Sequence, residues 1–158
     1  MNWYSWLIWG FAATIVLSTI SSATQGLGLT RMNLPYMLGT IFTSDRDRAK
    51  LYGFGIHLVA GWVFSLIYVL IFQALGAAGW WRGAIVGAIH ALFVLVVTMS
   101  LLPGLHPRMA SEQHGPEGQN MLEPPGFLAL HYGVQTPLAI LISHAVFGAI
   151  LGAFYHLK

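Results

Sequence analysis

Long apolar stretches without a charged residue constrain this chain more than any other feature of its sequence. The four stretches cover residues 3–23, 54–76, 83–102 and 134–156, and none contains Asp, Glu, Lys or Arg. A helix that crosses the hydrocarbon core of a bilayer needs about 20 mostly apolar residues. The sequence therefore predicts four membrane-spanning helices within a single transmembrane domain, residues 1–158.

The composition of the chain agrees with lipid as its solvent. Charged residues make up 8% of the sequence, whereas about 25% is usual in a soluble domain. The formal net charge of +2 is too small for the clustered basic surface that binds nucleic acid. We expect the lipid bilayer as the immediate partner and no nucleic acid. Cysteine is absent from the sequence, which excludes disulfides, thiolate metal sites and cysteine nucleophiles.

The connections between the apolar stretches differ in length. Only residues 77–82 separate the second stretch from the third, and short connections join antiparallel neighbours. We predict an all-α fold, an integral membrane antiparallel four-helix bundle. Four crossings place both termini at one end of this bundle and the loops 24–53 and 103–133 at the other.

The basic residues predict which end faces the cytoplasm. The two long loops contain five of them: Arg31, Arg46, Arg48, Lys50 and Arg108. The terminal end contains Arg82 and Lys158. Because cytoplasmic loops are enriched in Lys and Arg, we expect loops 24–53 and 103–133 in the cytoplasm and both termini outside.

Two helix starts are predicted within the first loop. The segment "MNLPYMLGTIFT" is apolar but too short to span, which predicts a short interfacial or re-entrant helix with Asn33 as its cap and Pro35 in its first turn. Further on, Ser44 and Asp47 fit a capping box, S-x-x-D. It predicts a helix that continues into the second span, with a solvated charged loop as the alternative.

Histidines are the side chains within the predicted spans that can titrate near neutral pH. His57, His90 and His144 lie in the second, third and fourth spans, and an ionisable residue there is by default a functional-site hypothesis. Each has a glycine three or four residues away on the same helix face, namely Gly61, Gly87 and Gly148. Small residues at this spacing indicate close helix contacts, so we expect each imidazole to lie inside the bundle.

Two interpretations of these imidazoles use the bundle interior alone. In the first, they are packing residues that form hydrogen bonds to other helices, for example to Thr14 or to Ser18, which we expect near the depth of His57. In the second, His90 and His144 bind haem or another tetrapyrrole as axial ligands, as facing helices do in other bundles. The small glycine faces leave space for such a ring.

A third interpretation places a metal ion at the loop end of the bundle. His57 would join His106, His114 and His131, or Glu117, around zinc or copper, which imidazole ligates well. No compact metal motif such as H-E-x-x-H supports this set.

The segments "LGLTRMNLPYMLGTIFTSDRDRAKLYGFGIHLVAGWVFSLIY", "RGAIVGAIHALFVLVVTMSLLPGLHPRM" and "SHAVFGAILGAFYH" together cover most of the chain. In these segments the sequence resembles a family of small bacterial inner-membrane proteins of unknown function. The resemblance implies a multi-pass, four-helix protein of the bacterial inner (cytoplasmic) membrane. It implies no reaction and assigns no site residue.

The sequence lacks the common catalytic fingerprints G-x-S-x-G, the P-loop and G-x-G-x-x-G. The leading interpretation is therefore an accessory or interaction subunit without its own catalysis. Its partners would be other membrane protein subunits or further copies of itself, reached through small-residue helix faces. The alternative is a haem- or metal-binding redox protein that uses the histidines, and a small solute carrier is the third.

Overall fold

The computed structural model describes residues 1–111 and 122–157. In these ranges, four helices are long and apolar enough to cross a membrane: α1, Trp3–Gly26; α3, Arg46–Ala74; α4, Trp80–Leu105; and α5, Thr136–Phe154. The short helix α2, Leu34–Gly39, lies between α1 and α3, and a 3-10 helix, Phe127–Tyr132, precedes α5. No β-strand occurs in the described ranges. The predicted all-α four-helix membrane bundle is confirmed.

Helix α3 begins well before the apolar stretch that predicts it. The side chain of Asp45 accepts hydrogen bonds from the backbone N–H groups of Asp47 at 3.1 Å and Arg48 at 2.8 Å. This carboxylate satisfies two of the free N–H donors of the first turn, and the positive end of the helix dipole favours its negative charge. The helix runs unbroken into the second span, as predicted. The predicted cap Ser44 is wrong by one residue, because Asp45 directly precedes the first helical residue.

Helix α2 begins as its sequence predicts. Asn33 caps it by accepting a hydrogen bond from the backbone N–H of Tyr36 at 2.9 Å, and Pro35 lies in its first turn. Gly39 of α2 and Gly53 of α3 let the two backbones touch, because a Cβ at either position would lie under 3.0 Å from backbone atoms of the other helix. Helix α2 is thus fixed to the start of α3. Its interfacial or re-entrant position stays a prediction.

Helices α4 and α5 form the tightest contact between spanning helices. A Cβ added at Gly83, Gly87, Gly148 or Gly152 would lie under 3.0 Å from a carbonyl of the opposite segment. Small residues allow this approach, which gains dispersion contacts that lipid does not provide equally well. Helix α1 packs against both α3 and α5, whereas the backbones of α3 and α4 barely approach one another.

Both chain ends meet at one end of the bundle. The hydroxyl of Tyr155 accepts hydrogen bonds from the backbone N–H of Asn2 at 3.0 Å and from Gln73 Nε2 at 2.9 Å. The backbone N–H of His156 donates to Ser5 Oγ at 3.1 Å. The start of α1, the end of α3 and the end of α5 are therefore tied together.

The long loops meet at the opposite end. The hydroxyls of Thr30 and Thr136 lie 2.7 Å apart, and the backbone N–H of Arg31 donates to the carbonyl of Tyr132 at 2.7 Å. These bonds join the segment after α1 to the start of α5. The assignment of this end to the cytoplasm stays a prediction.

Candidate binding site: a histidine cavity

The three histidines of the spanning helices line one cavity of about 140 Å³ inside the bundle. His57 comes from α3, His90 from α4 and His144 from α5. Most of the remaining wall is apolar and includes Leu17, Met32, Leu34, Met99, Ile140 and Phe147. We call this space the histidine cavity. The sequence placed each imidazole on an inner face, and the fold brings all three to the same space.

His57 is held by helix α1. Gly61, one turn after His57, lies directly against Thr14 of α1, where a side chain would clash. This contact brings Ser18 to 3.0 Å from His57 Nδ1, while the Ser18 hydroxyl donates to the Thr14 carbonyl at 2.8 Å. Both bonds form together only if His57 Nδ1 carries a hydrogen and donates a hydrogen bond to Ser18 Oγ. The other ring nitrogen, Nε2, is then left with a free lone pair.

His144 has the same tautomer for a simpler reason. Its Nδ1 lies 2.8 Å from the carbonyl oxygen of Ile140, one turn earlier in α5. A carbonyl only accepts, so Nδ1 of the neutral ring must donate. Nε2 of His144 is therefore also a hydrogen-bond acceptor.

His90 is held by two aromatic residues of α3. Its Nδ1 lies 3.0 Å from the hydroxyl of Tyr68, and its ring stacks on Phe64 with a centroid separation of 4.4 Å. The edge of His90 also meets His144, with centroids 4.9 Å apart and the planes at 86°. Sequence reasoning missed Tyr68 and Phe64. Their positions could have indicated them, because Phe64 and Tyr68 follow His57 by seven and eleven residues and so lie on the same face of α3.

One nitrogen of each ring, Nε2, is left without a partner within the described part of the chain. Among the described residues, none of the Nε2 atoms of His57, His90 and His144 has a hydrogen-bond partner. The described part of the chain also contains no fully buried side-chain nitrogen or oxygen without a partner. These nitrogens are therefore not fully buried, and the rings that carry them line a mostly apolar cavity whose other polar lining residues are Ser21, Thr98 and Ser143.

The wall next to His90 has irregular helix geometry. Residues Val94–Thr98 form a π-helical segment within α4, and both Val94 and Thr98 line the histidine cavity. Such segments are rare in proteins and are frequent at functional sites. Nothing in the sequence indicated this feature. It is a second observation, separate from the histidines, that singles out this cavity.

The geometry does not fit a tetrapyrrole between His90 and His144. Two axial imidazoles lie on opposite faces of the macrocycle and both point at its metal. Here the rings are in edge-to-face contact, with centroids 4.9 Å apart, and the cavity is about 140 Å³. No space for a macrocycle separates the rings, so the predicted axial pair does not fit.

The predicted metal-binding set is not brought together either. In the described ranges, no group of three or more His, Asp or Glu side chains could hold a metal ion. His131 Nδ1 instead donates to the carbonyl of Pro124 at 2.9 Å, whereas His57 Nδ1 bonds Ser18. His114 and Glu117 belong to the same prediction and lie outside the described residues.

His106 has a structural role at the loop end. Its Nε2 donates to the carbonyl of Met37 at 2.9 Å, and its Nδ1 accepts from the backbone N–H of Arg108 at 3.1 Å. The ring is 1% exposed. Burial lowers the pKa of His106, the bond to Met37 opposes this shift, and the Arg108 charge adds to it. A neutral imidazole thus connects α2 to the chain after α4.

Comparison of the chain with known protein families, with curated proteins and with solved structures finds no match. The fold nevertheless defines a class, a multi-pass membrane protein built as a four-helix bundle. The feature that distinguishes this bundle is the histidine cavity formed by α3, α4 and α5.

Proposed function

We propose that this protein binds a small, mainly apolar molecule that donates a hydrogen bond within the histidine cavity. One observation supports this most strongly: His57, His90 and His144 converge on an apolar space and leave their Nε2 atoms without partners among the described residues. A polar atom in apolar surroundings costs free energy unless it has a partner. A ligand hydroxyl would remove this cost.

The cavity limits the size of the part of the ligand that it holds. Its volume is about 140 Å³, and an engineered apolar cavity of about 150 Å³ in another protein binds benzene. The histidine cavity therefore suits a single six-membered ring. Because Nε2 of His57 and of His144 accepts hydrogen bonds, the ring should bear a donor, which makes a phenol the simplest fitting ligand.

The same hydrogen bonds argue against nucleophilic catalysis at this site. A serine nucleophile must donate its proton to an adjacent imidazole base. Ser18 instead donates to the carbonyl of Thr14 and accepts from His57. We therefore infer that Ser18 positions His57 and does not act as a nucleophile, which favours a binding role for the cavity.

Equilibrium dialysis with lipid nanodiscs tests the proposal. Discs that contain the full chain should take up more 4-methylphenol than empty discs of the same lipid. Toluene, which has the same ring without the hydroxyl, should show about 5- to 150-fold weaker excess binding, since an unmade hydrogen bond at a buried acceptor costs on the order of 1–3 kcal/mol. Equal binding of the two molecules, or no excess of either, would rule the function out.

A histidine variant with a matched control locates the ligand. His144→Ala removes one acceptor and should weaken 4-methylphenol binding, whereas His156→Ala removes an exposed histidine at the terminal end and should not. Circular dichroism and gel filtration check that both variants fold. Unchanged binding in folded His144→Ala and in folded His57→Ala would place the ligand elsewhere.

The accessory-subunit role stays a prediction. The glycine faces that favoured a partner from the sequence, Gly83 and Gly87 with Gly148 and Gly152, pack against each other within this chain. A bacterial inner-membrane location, supported by the resemblance, and the solute-carrier alternative also stay predictions. Crosslinking in the native membrane followed by purification tests the role, since an accessory subunit should bring a second protein with it.

A further inference from the structure

A second apolar space lies on the outer side of α3. This groove of about 790 Å³ extends along the helix from Leu51 to Phe64, with Phe42 at one end. Gly55 gives it depth, because no other side chain comes within 4 Å of the position that a Cβ would occupy there. Val59 and Val63 are exposed in it. In a spanning helix, such a surface faces lipid tails.

The groove and the histidine cavity share two of their lining residues. Ala60 and Phe64 line both spaces. On the cavity side, the Phe64 ring stacks on His90 with centroids 4.4 Å apart. Ala60 and Phe64 therefore stand at the border between the space that holds the imidazoles and the membrane-facing surface.

The backbone leaves this side of the bundle open. Helix α3 is fixed to α1 and helix α4 to α5, while α3 and α4 themselves barely approach. Side chains close the seam, since Phe64 and Tyr68 of α3 both reach His90 of α4. A phenylalanine can change rotamer without any movement of the helix backbone. The seam can thus open at Phe64 while the glycine contacts between α4 and α5 stay intact.

We propose that the ligand is a lipid with a single hydroxylated ring as its head and an apolar chain as its tail. This inference rests on the proposed function. The ring occupies the histidine cavity, and the tail passes Phe64 into the groove of α3. The shapes fit this division, because the histidine cavity of about 140 Å³ holds one ring, whereas the apolar groove is open to the lipid and can lie along a chain.

The bilayer is then both the source of the ligand and the environment of its tail. In the groove the tail exchanges lipid neighbours for Val59, Val63 and Phe64, which are equally apolar. Since lipid tails solvate apolar groups as well as protein does, the tail adds little affinity. A comparison of ligands with short and long tails therefore tests whether the cavity is open or closed at Phe64.

Binding of 4-methylphenol and 4-hexylphenol to the full chain in nanodiscs distinguishes these cases. The binding of each compound is divided by its concentration in empty discs. The two resulting values should agree within about threefold, since the added methylenes stay in apolar surroundings. If 4-methylphenol binds and 4-hexylphenol does not, the cavity is closed and this inference is wrong. If neither binds, the proposed function itself fails.

Variants that fill the groove provide a second test of where the tail lies. Val63→Trp and Val59→Trp each fill the groove but do not line the cavity. The indole should block the path of the tail beside Phe64, not remove attractive contacts, so 4-hexylphenol binding should weaken about tenfold or more while 4-methylphenol binding stays unchanged. Ile67→Trp is the matched control, because Ile67 is exposed on the same helix and lines neither space. Equal effects on both ligands in both groove variants, whether no loss or a common loss, would overturn the proposal.

Discussion

Gly83 of α4 and Gly148 of α5 face each other so closely that each stands against the carbonyl of the other. One turn further along α4, Gly87 meets the carbonyl of His144 in the same way. This backbone contact fixes α4 and α5 at a short separation. It thereby brings the rings of His90 and His144 into edge contact, with centroids 4.9 Å apart.

Substitution of Gly83 by Leu should separate α4 from α5. The new side chain meets the backbone of Gly148, which cannot rotate away, so we expect a loss of about 3 kcal/mol or more in the free energy of unfolding. Denaturant titration in mixed micelles measures it. Gly55→Ala is the control, because its Cβ meets nothing within 4 Å. That change should be neutral or stabilising by about 0.5–1 kcal/mol.

An unchanged unfolding curve for Gly83→Leu would show that the two helices do not pack as described. A destabilised Gly55→Ala would instead indicate that the outer face of α3 is occupied in the assembled protein.

Acidification should loosen α2 from the chain after α4. Burial holds the pKa of His106 below its ordinary value of 6.5. The imidazole therefore takes up a proton more readily when α2 has separated from it than when the contact is formed. The contact is fully stable above pH 6.5 and weakens as the pH falls through this value toward the lower pKa of the folded state.

Hydrogen exchange of residues 34–40 measures this loosening at pH 7.5 and pH 5. His106→Gln is the reference at each pH, because its amide can still donate to Met37 and accept from Arg108 without titrating. The wild-type chain should lose protection relative to the variant at the lower pH. A constant ratio between the two proteins would contradict the assignment of His106.

The threonine pair at the loop end should respond unequally to substitution. Thr30 Oγ1 bonds Thr136 Oγ1 at 2.7 Å and also accepts from the backbone N–H of Met32 at 3.0 Å. Thr30→Val therefore leaves a buried backbone donor unpaired and should cost about 1–3 kcal/mol, whereas Thr136→Val should cost about 0.5–1.5 kcal/mol. Thermal unfolding of both variants gives the order. The reverse order would mean that Met32 finds another acceptor.

The absence of cysteine makes the predicted orientation easy to test. Single cysteines at Ser44, exposed at the loop end, and at His156, exposed at the terminal end, report opposite sides of the bundle. A membrane-impermeant maleimide added to intact cells should label His156→Cys and spare Ser44→Cys until the cells are opened. Labelling in the opposite order would reverse the topology that the basic residues predict.

The spans could be predicted because lipid allows few alternatives. Inside a bilayer every backbone polar group needs a partner within the protein, which favours a helix wherever about 20 apolar residues follow one another. Polar segments are less constrained, and there the prediction missed by one residue at the cap, Asp45 in place of Ser44. The 3-10 helix before α5 had no signal, since Leu128 and Ala129 adopt positive φ angles of 53° and 61° that such residues rarely adopt.

The site was predictable in its parts and not in its assembly. A glycine beside each histidine indicated which face of each helix is inward, and Ser18 lies beside His57 as expected. Which helices meet depends on tertiary packing. The sequence alone therefore could not show that His90 and His144 touch, that Phe64 stacks on His90, or that side chains rather than backbones close the α3–α4 seam.

The π-helical segment Val94–Thr98 sets the angular phase of α4. The buried residues of this helix recur every four positions, at Gly83, Gly87, Ala91, Leu95 and Met99. In a pure α-helix this spacing advances each member by about 40°, so the stripe would wind away from the bundle axis. The wider π turn rotates the second half back. Deletion of one residue there would rotate Met99 by about 100° around the helix axis, while Gly83 and Gly87 kept their orientation toward α5.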